Sequence, residues 1–275
     1  MNMLLAHPRA FGAMVVAFFA IVTLPAQATT EVIGRSVEGR PISVVRLGSG
    51  PRDVIIVGGI HGAYEANSIA LSRQFIQYYR DNPGALPARF TLHVIDNMNP
   101  DGLARITGDT PLESFDFRSV DARPGRFNAR GVDLNRNWDG DWRPTSVWRN
   151  RVVDAGSAPF SEPETRSVRD YFAAVDPEVS VFYQSAGAFL WYTGAEQQWQ
   201  PALALADVYG RASGYRVLRP SPDQNDDDGP DITGSADDYF YEIRHRNLTV
   251  ELTNHYDTEW ERNLAGFEAL LSAIR

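Results

Sequence analysis

Two amino acids are missing from this chain, cysteine and lysine. Without cysteine there are no disulfides, no thiolate nucleophile and no sulfur-ligated metal, so a metal must be held by histidine and carboxylates. Without lysine every one of the 26 basic side chains is arginine, and they form no basic stripe. With a net charge of −9, the chain is not expected to bind nucleic acid. Long apolar runs are also missing: the stretch from Phe11 to Leu24 is short of the roughly 20 residues that span a membrane. It follows His7 and Arg9 and precedes Pro25-Ala26-Gln27-Ala28, the pattern of a secretory signal cleaved after Ala28. The expected division is a signal peptide over 1–28 and one mature domain over 29–275. Export without disulfides suits a bacterial periplasm or the medium, with no membrane attachment after cleavage. The 275 residues, 43% hydrophobic and 22% charged, exclude disorder, collagen and coiled coil.

Strands and helices alternate along the mature chain. Ile42 to Leu47 reads as a strand, and Asp53 to Gly59 holds Val54, Ile55, Ile56 and Val57 unbroken, a strand buried on both faces. Leu71, Phe75 and Tyr78 at i, i+4 and i+7 predict a helix from about Glu65 to Arg80, ended by Asp81-Asn82-Pro83-Gly84. Phe90 to Ile95 is the next strand, and the Gly-, Asp- and Arg-rich stretch from 102 to 137 reads as loop. Ser161 with Glu164 spells a capping box for a helix to about Ala174, and Thr258 with Glu261 a second. Between them come a strand from Val179 to Gln184, a helix from Ala202 to Ala212 and a strand from Asn247 to Thr253. Trp260, Leu264, Phe267, Leu271 and Ile274 stripe a terminal helix. The expectation is an α/β fold: a single domain, acting as a monomer, with a mixed, mostly parallel central sheet flanked by helices. Pro222 to Asp231, holding Asp223, Asp226, Asp227, Asp228 and Asp231, reads as a solvated acidic loop.

Chemistry concentrates after the buried strand. Gly58-Gly59-Ile60-His61-Gly62-Ala63-Tyr64-Glu65 places a histidine and a carboxylate where the chain turns into a helix, the place where open α/β sheets bind ligands. A histidine and a glutamate supply two thirds of a His/His/Glu zinc site. Then follow Asn99-Pro100-Asp101-Gly102, Gly131-Val132-Asp133-Leu134-Asn135-Arg136-Asn137-Trp138 and Pro159-Phe160-Ser161-Glu162-Pro163-Glu164. In this order the motifs resemble the carboxypeptidase A-like zinc metallocarboxypeptidases, from about Val54 to the terminal helix.

The resemblance implies a zinc-dependent enzyme that hydrolyses the C-terminal residue of peptides with a free C-terminus. It matches His61 and Glu65 to two zinc ligands, and Asn135 and Arg136 to a clamp for the terminal carboxylate. Glu251 matches the general base toward metal-activated water, and Arg126 the arginine that polarises the scissile carbonyl, with Arg130 and Arg118 as alternatives. The planar fork of arginine suits a carboxylate, and zinc acidifies water for a neighbouring carboxylate to deprotonate. Two departures stand out. The family's first ligands are spaced His-x-x-Glu, one residue closer than here, which positions i+3 and i+4 of a helix both accommodate. Its third ligand is a histidine before a serine, where this chain has Gln184-Ser185, a neutral amide oxygen in place of imidazole. His255 is the one candidate to replace it: His93 lies mid-strand and His245 in a solvated Arg-rich turn. Tyr239 and Tyr241 are expected in the core. In Gly234-Ser235-Ala236-Asp237, Ala236 would select apolar terminal residues and Asp237 basic ones. Two other functions stay open, a peptide-binding protein with a degraded zinc site and a zinc deacylase of N-acyl amino acids.

Overall fold

A computed structural model describes residues 28–219 and 232–274. The signal stretch up to Gln27 and the acidic loop from Pro222 to Asp231 lie outside them. Ten strands occur among the described residues: β1 (Thr29–Arg35), β2 (Pro41–Gly48), β3 (Arg52–Val57), β4 (Phe90–Ile95), β5 (Thr145–Trp148), β6 (Arg151–Asp154), β7 (Val179–Ser185), β8 (Phe189–Tyr192), β9 (Arg216–Val217) and β10 (Asn247–Leu252). The helices are α1 (Ala66–Asp81), α2 (Pro100–Thr107), α3 (Pro163–Val175), α4 (Gln200–Ser213), α5 (Ala236–Glu242) and α6 (Trp260–Ala273). Eight strands form one sheet in the order β1-β2-β4-β3-β7-β10-β8-β9, and β5 and β6 form a separate hairpin. Pairing is parallel through the centre, from β4 across β3 and β7 to β10, and antiparallel where β1, β2 and β8 join.

The unbroken apolar run in β3 explains its central place. Val54 and Ile56 enter one core with residues of α1, α4 and α6, while Ile55 and Val57 enter another with residues of α3 and α5. Successive strand side chains point to opposite faces, so only a strand covered on both sides takes apolar residues at every position. The stripe on α6 is likewise turned to the sheet, with Phe267 and Leu271 buried beside Phe75 of α1. This α/β architecture, helices on both faces of a mostly parallel sheet, matches the sequence expectation.

Several local expectations are corrected. The helix expected from Ser161 starts at Pro163 with no side-chain cap. Its capping residues are engaged elsewhere: Glu164 accepts from the Val37 amide and from Asn128, and Ser161 donates to Glu162. At α6 the cap position falls on Glu259, which takes the Thr253 hydroxyl and amide instead of completing a Thr258–Glu261 box. The stretch read as loop from 102 contains most of α2, opened by Pro100 at the first turn and by the Asn99 side chain accepting from the Gly102 amide. The capping box that does form, Ser235 with Asp238, opens α5.

Candidate active site

Three parallel strands end at the same edge, and the residues beyond them face one cavity of about 430 Å³. His61 follows β3, Gln184 lies near the end of β7, and Glu251 near the end of β10. Gln184 and Glu251 are direct neighbours in the parallel register, so their side chains leave the sheet on the same face. All seven residues singled out from the sequence line this cavity: His61, Glu65, Arg126, Asn135, Arg136, Gln184 and Glu251.

The extra residue between His61 and Glu65 is absorbed by a turn. Residues Gly62–Glu65 form a single 3-10 turn, and Glu65 itself has φ −124° before α1 begins. This break returns the carboxylate to the imidazole, with His61 Nδ1 and Glu65 Oε1 2.7 Å apart. Gly62 sits at φ +47°, and a Cβ there would meet the Gly125 carbonyl at 2.6 Å, so only glycine fits. On its other side His61 presents Nε2 to Asp133 Oδ1 at 3.5 Å. Asp133 is fully buried and accepts from Arg126 Nε at 2.8 Å and from the Asn135 amide at 3.0 Å. Despite its burial, Arg126 and the His61 contact hold its carboxyl far below the usual carboxylate range. Arg126 also lies 3.8 Å from Glu65 and over the Trp148 ring at 4.7 Å.

The Asn135–Arg136 pair is oriented by backbone. Asn135 Oδ1 accepts from the Ala236 amide, and its amide nitrogen is 3.5 Å from Gln184 Oε1. Arg136 donates to the Val147 carbonyl through Nε and Nη2 and to the Asn135 carbonyl through Nη1. Three of its five N–H groups are thereby used, leaving two for an incoming acceptor. Desolvation, with the Glu65 carboxylate facing it, raises Glu251 above the ordinary carboxylate range. Asp237 lines the cavity and is raised to about 6 by burial, while Asn247 and Thr249 donate to its carboxylate; Ala236 is buried beneath.

The remaining histidines divide. His93 is buried between Asp53 and Tyr171, bonded at 2.7 Å to each. His245 is not solvated as expected: it packs on Phe172 and Phe240 and bonds Ser180, and burial pushes it down to about 3. His255 bonds Ser185 through Nδ1 and rests on Tyr64, with Nε2 buried and unpartnered. Tyr239 packs on Trp138 and Phe160, in the core as expected. Asp133, two residues before Asn135 in the same motif, joins His61, Arg126 and Asn135, a connection the sequence reading passed over; a carboxylate so close to the paired Asn-Arg was its signal.

No group of three or more His, Cys, Asp or Glu side chains among the described residues is arranged as a metal site. This follows from having Gln184 in third place. The first two positions do fit a divalent cation. Glu65 Oε2 is buried without a hydrogen-bond partner, and Asp133 stands behind the imidazole as carboxylates stand behind metal-binding histidines. A neutral amide as third donor fits a weakly held metal.

A sheet of this order, with its cavity at the carboxyl ends of parallel strands, defines the α/β class of carboxypeptidase folds. Residues 20–260 match the zinc carboxypeptidase family, and the chain belongs to that family. Carboxypeptidase B of Astacus astacus is 30% identical over 167 residues, 58% of this chain and 54% of the relative. The chain thus matches about half the length of that relative. Among solved structures, carboxypeptidase A of Helicoverpa armigera superposes with a TM-score of 0.66 at 18% identity, covering 90% of this chain and 69% of that one. The murein-tripeptide amidase of Escherichia coli O157 gives 0.59 at 20% identity, covering 91% and 92%. No helix among the described residues is long and apolar enough to cross a membrane.

Proposed function

We propose that this protein is a zinc-dependent carboxypeptidase that removes the last residue of a peptide. The observation that carries the reading is the meeting, in one cavity, of His61 and Glu65, the Asn135–Arg136 pair with two free guanidinium N–H groups, Arg126 and a desolvated Glu251. The terminal carboxylate of the substrate is received by Arg136 and the Asn135 amide. This fixes the last peptide bond beside Arg126, whose guanidinium, anchored by Asp133, stabilises the negative charge that develops on the carbonyl oxygen. Glu251 takes a proton from water as the water oxygen bonds to the carbonyl carbon, and hands it to the leaving amine as the C–N bond breaks. His61 and Glu65, with the Gln184 amide oxygen, are the residues that would hold the zinc, which when bound would supply Lewis acidity for the water and the carbonyl. Residues 1–28 are the signal that exports the chain in this reading.

Gln184 favours a second reading, a peptide-binding protein that keeps the clamp but not a tight metal. Glu251→Gln tests the first. The amide is the same size but accepts no proton, so turnover is expected to vanish while zinc and peptide binding persist. Turnover retained in a folded variant rejects Glu251 as the base, and a native protein that binds peptide but never cleaves it, zinc-loaded, supports the second reading.

A further inference from the structure

The rim of the cavity carries an arginine that the catalytic reading does not use. In the hairpin of β5 and β6, Trp148 pairs with Arg151, so Arg149 and Asn150 form a two-residue turn. Both have positive φ, 49° and 59°, the pattern of a type I′ turn, in which glycine, asparagine and aspartate fit best. Asn150 suits its place. Arg149 does not, and its backbone is held in the left-handed region against the preference of a long side chain.

The guanidinium of Arg149 stands 5.8 Å from the Tyr64 ring centre and 5.6 Å from that of Trp148, and it faces the cavity. Those rings meet edge to face at 5.2 Å. Arg126 lies over the same two rings, at 5.9 Å and 4.7 Å, but its charge is spent on Asp133 and Glu65. Among the described residues no ion pair involves Arg149, although the chain carries nine more negative charges than positive ones. The hairpin is also tied to the clamp, because Arg136 donates to Val147 two residues before Arg149. Arg149 thus shares the Tyr64–Trp148 pair with Arg126, the residue assigned to the scissile carbonyl, whereas Val147 of the same hairpin reaches the clamp.

We propose that Arg149, Tyr64 and Trp148 form a subsite for an anionic side chain on the acyl side of the scissile bond. The preferred substrate then bears a carboxylate on its next-to-last residue. The inference rests on the carboxypeptidase reading, which orients the substrate with its C-terminus at Arg136. The guanidinium is exposed at the rim with two aromatic rings within 5.8 Å, and an arriving carboxylate meets a charge that no carboxylate among the described residues engages.

The test measures binding by calorimetry in the Glu251→Gln protein, so that nothing turns over. Two blocked dipeptides are compared, identical except for Glu or Gln at the next-to-last position. The Glu peptide is expected to bind about 5-fold more tightly, the upper range for an exposed ion pair. Adding Arg149→Gly should bring the Glu-to-Gln ratio to one, and Arg149→Lys should restore part of it. The glycine variant should also melt higher, since glycine adopts positive φ without strain. A lowered melting temperature with an unchanged ratio overturns the proposal, because that is what a purely structural arginine predicts. Equal affinity for both peptides when Arg149 is present overturns the subsite alone. Failure of either peptide to bind overturns the carboxypeptidase reading, and the subsite with it.

Discussion

Asp133→Asn separates the role of the buried carboxylate from that of its shape. The amide has the same volume, so no cavity opens. What changes is the partner of Arg126. Asp133 is wholly buried and accepts from Arg126 Nε at 2.8 Å, and Arg126 is itself only 3% exposed. Removing one member of a buried ion pair typically costs about 3–5 kcal/mol, because the other charge is left without compensation. Glu65 lies 3.8 Å from Arg126 and retains part of that compensation, which argues for the lower end, about 3 kcal/mol. For a chain of this size, each kcal/mol moves the melting temperature by about 2–4 °C, so a drop of roughly 6–12 °C is expected. Thermal unfolding followed by circular dichroism reads it, with urea unfolding as the free-energy measure. In a double-mutant cycle, Arg126→Met combined with Asp133→Asn should cost clearly less than the two changes summed. A loss below about 1 kcal/mol for Asp133→Asn, or full additivity in the cycle, refutes the idea that this pair is an uncompensated charge once broken.

Three further outcomes are expected. Gln184→His supplies an imidazole at the weak position and should tighten zinc by calorimetric titration, whereas His255→Ala should leave affinity unchanged; the reverse pattern makes His255 the third ligand. Arg136→Ala removes two charge-assisted hydrogen bonds to the terminal carboxylate, a loss of about 2–5 kcal/mol in peptide binding, and unaltered affinity rejects the clamp. His245 is neutral in the fold because burial depresses it to about 3, below the ordinary 6.5, so the unfolded chain binds the extra proton first. Stability is therefore full above pH 6.5 and falls toward pH 3 by up to about 1.4 kcal/mol per pH unit. His245→Asn should flatten that slope, and an identical slope in both proteins contradicts the burial argument.

Sequence reading succeeded where a local pattern and the tertiary environment agree. The four apolar residues Val54 to Val57 mark a strand covered on both faces, and the stripe from Trp260 to Ile274 marks a helix laid on the sheet. It failed where long-range partners claim the side chains a local pattern needs. Ser161-x-x-Glu164 has the letters of a capping box, yet Glu164 serves the Val37 amide 127 residues away. β1 escaped notice because most of its residues are exposed at the sheet edge, so no apolar alternation betrays it. At the site, the ordered motifs exposed the residues that line the cavity. Arg149 stayed hidden because only the fold of the hairpin turns it toward Tyr64, a residue 85 positions earlier in the chain. The spacing of His61 and Glu65 was resolved by a backbone break at Glu65 that no residue type announces.

The central claim is that the cavity receives a free peptide carboxylate and that the bond next to it is cut. Mass spectrometry of one peptide, offered to the zinc-loaded protein with a free and with an amidated C-terminus, tests this most directly. The account predicts loss of a single terminal residue from the free peptide and almost none from the amidated one. Equal cleavage of both, or cleavage within the chain, contradicts it.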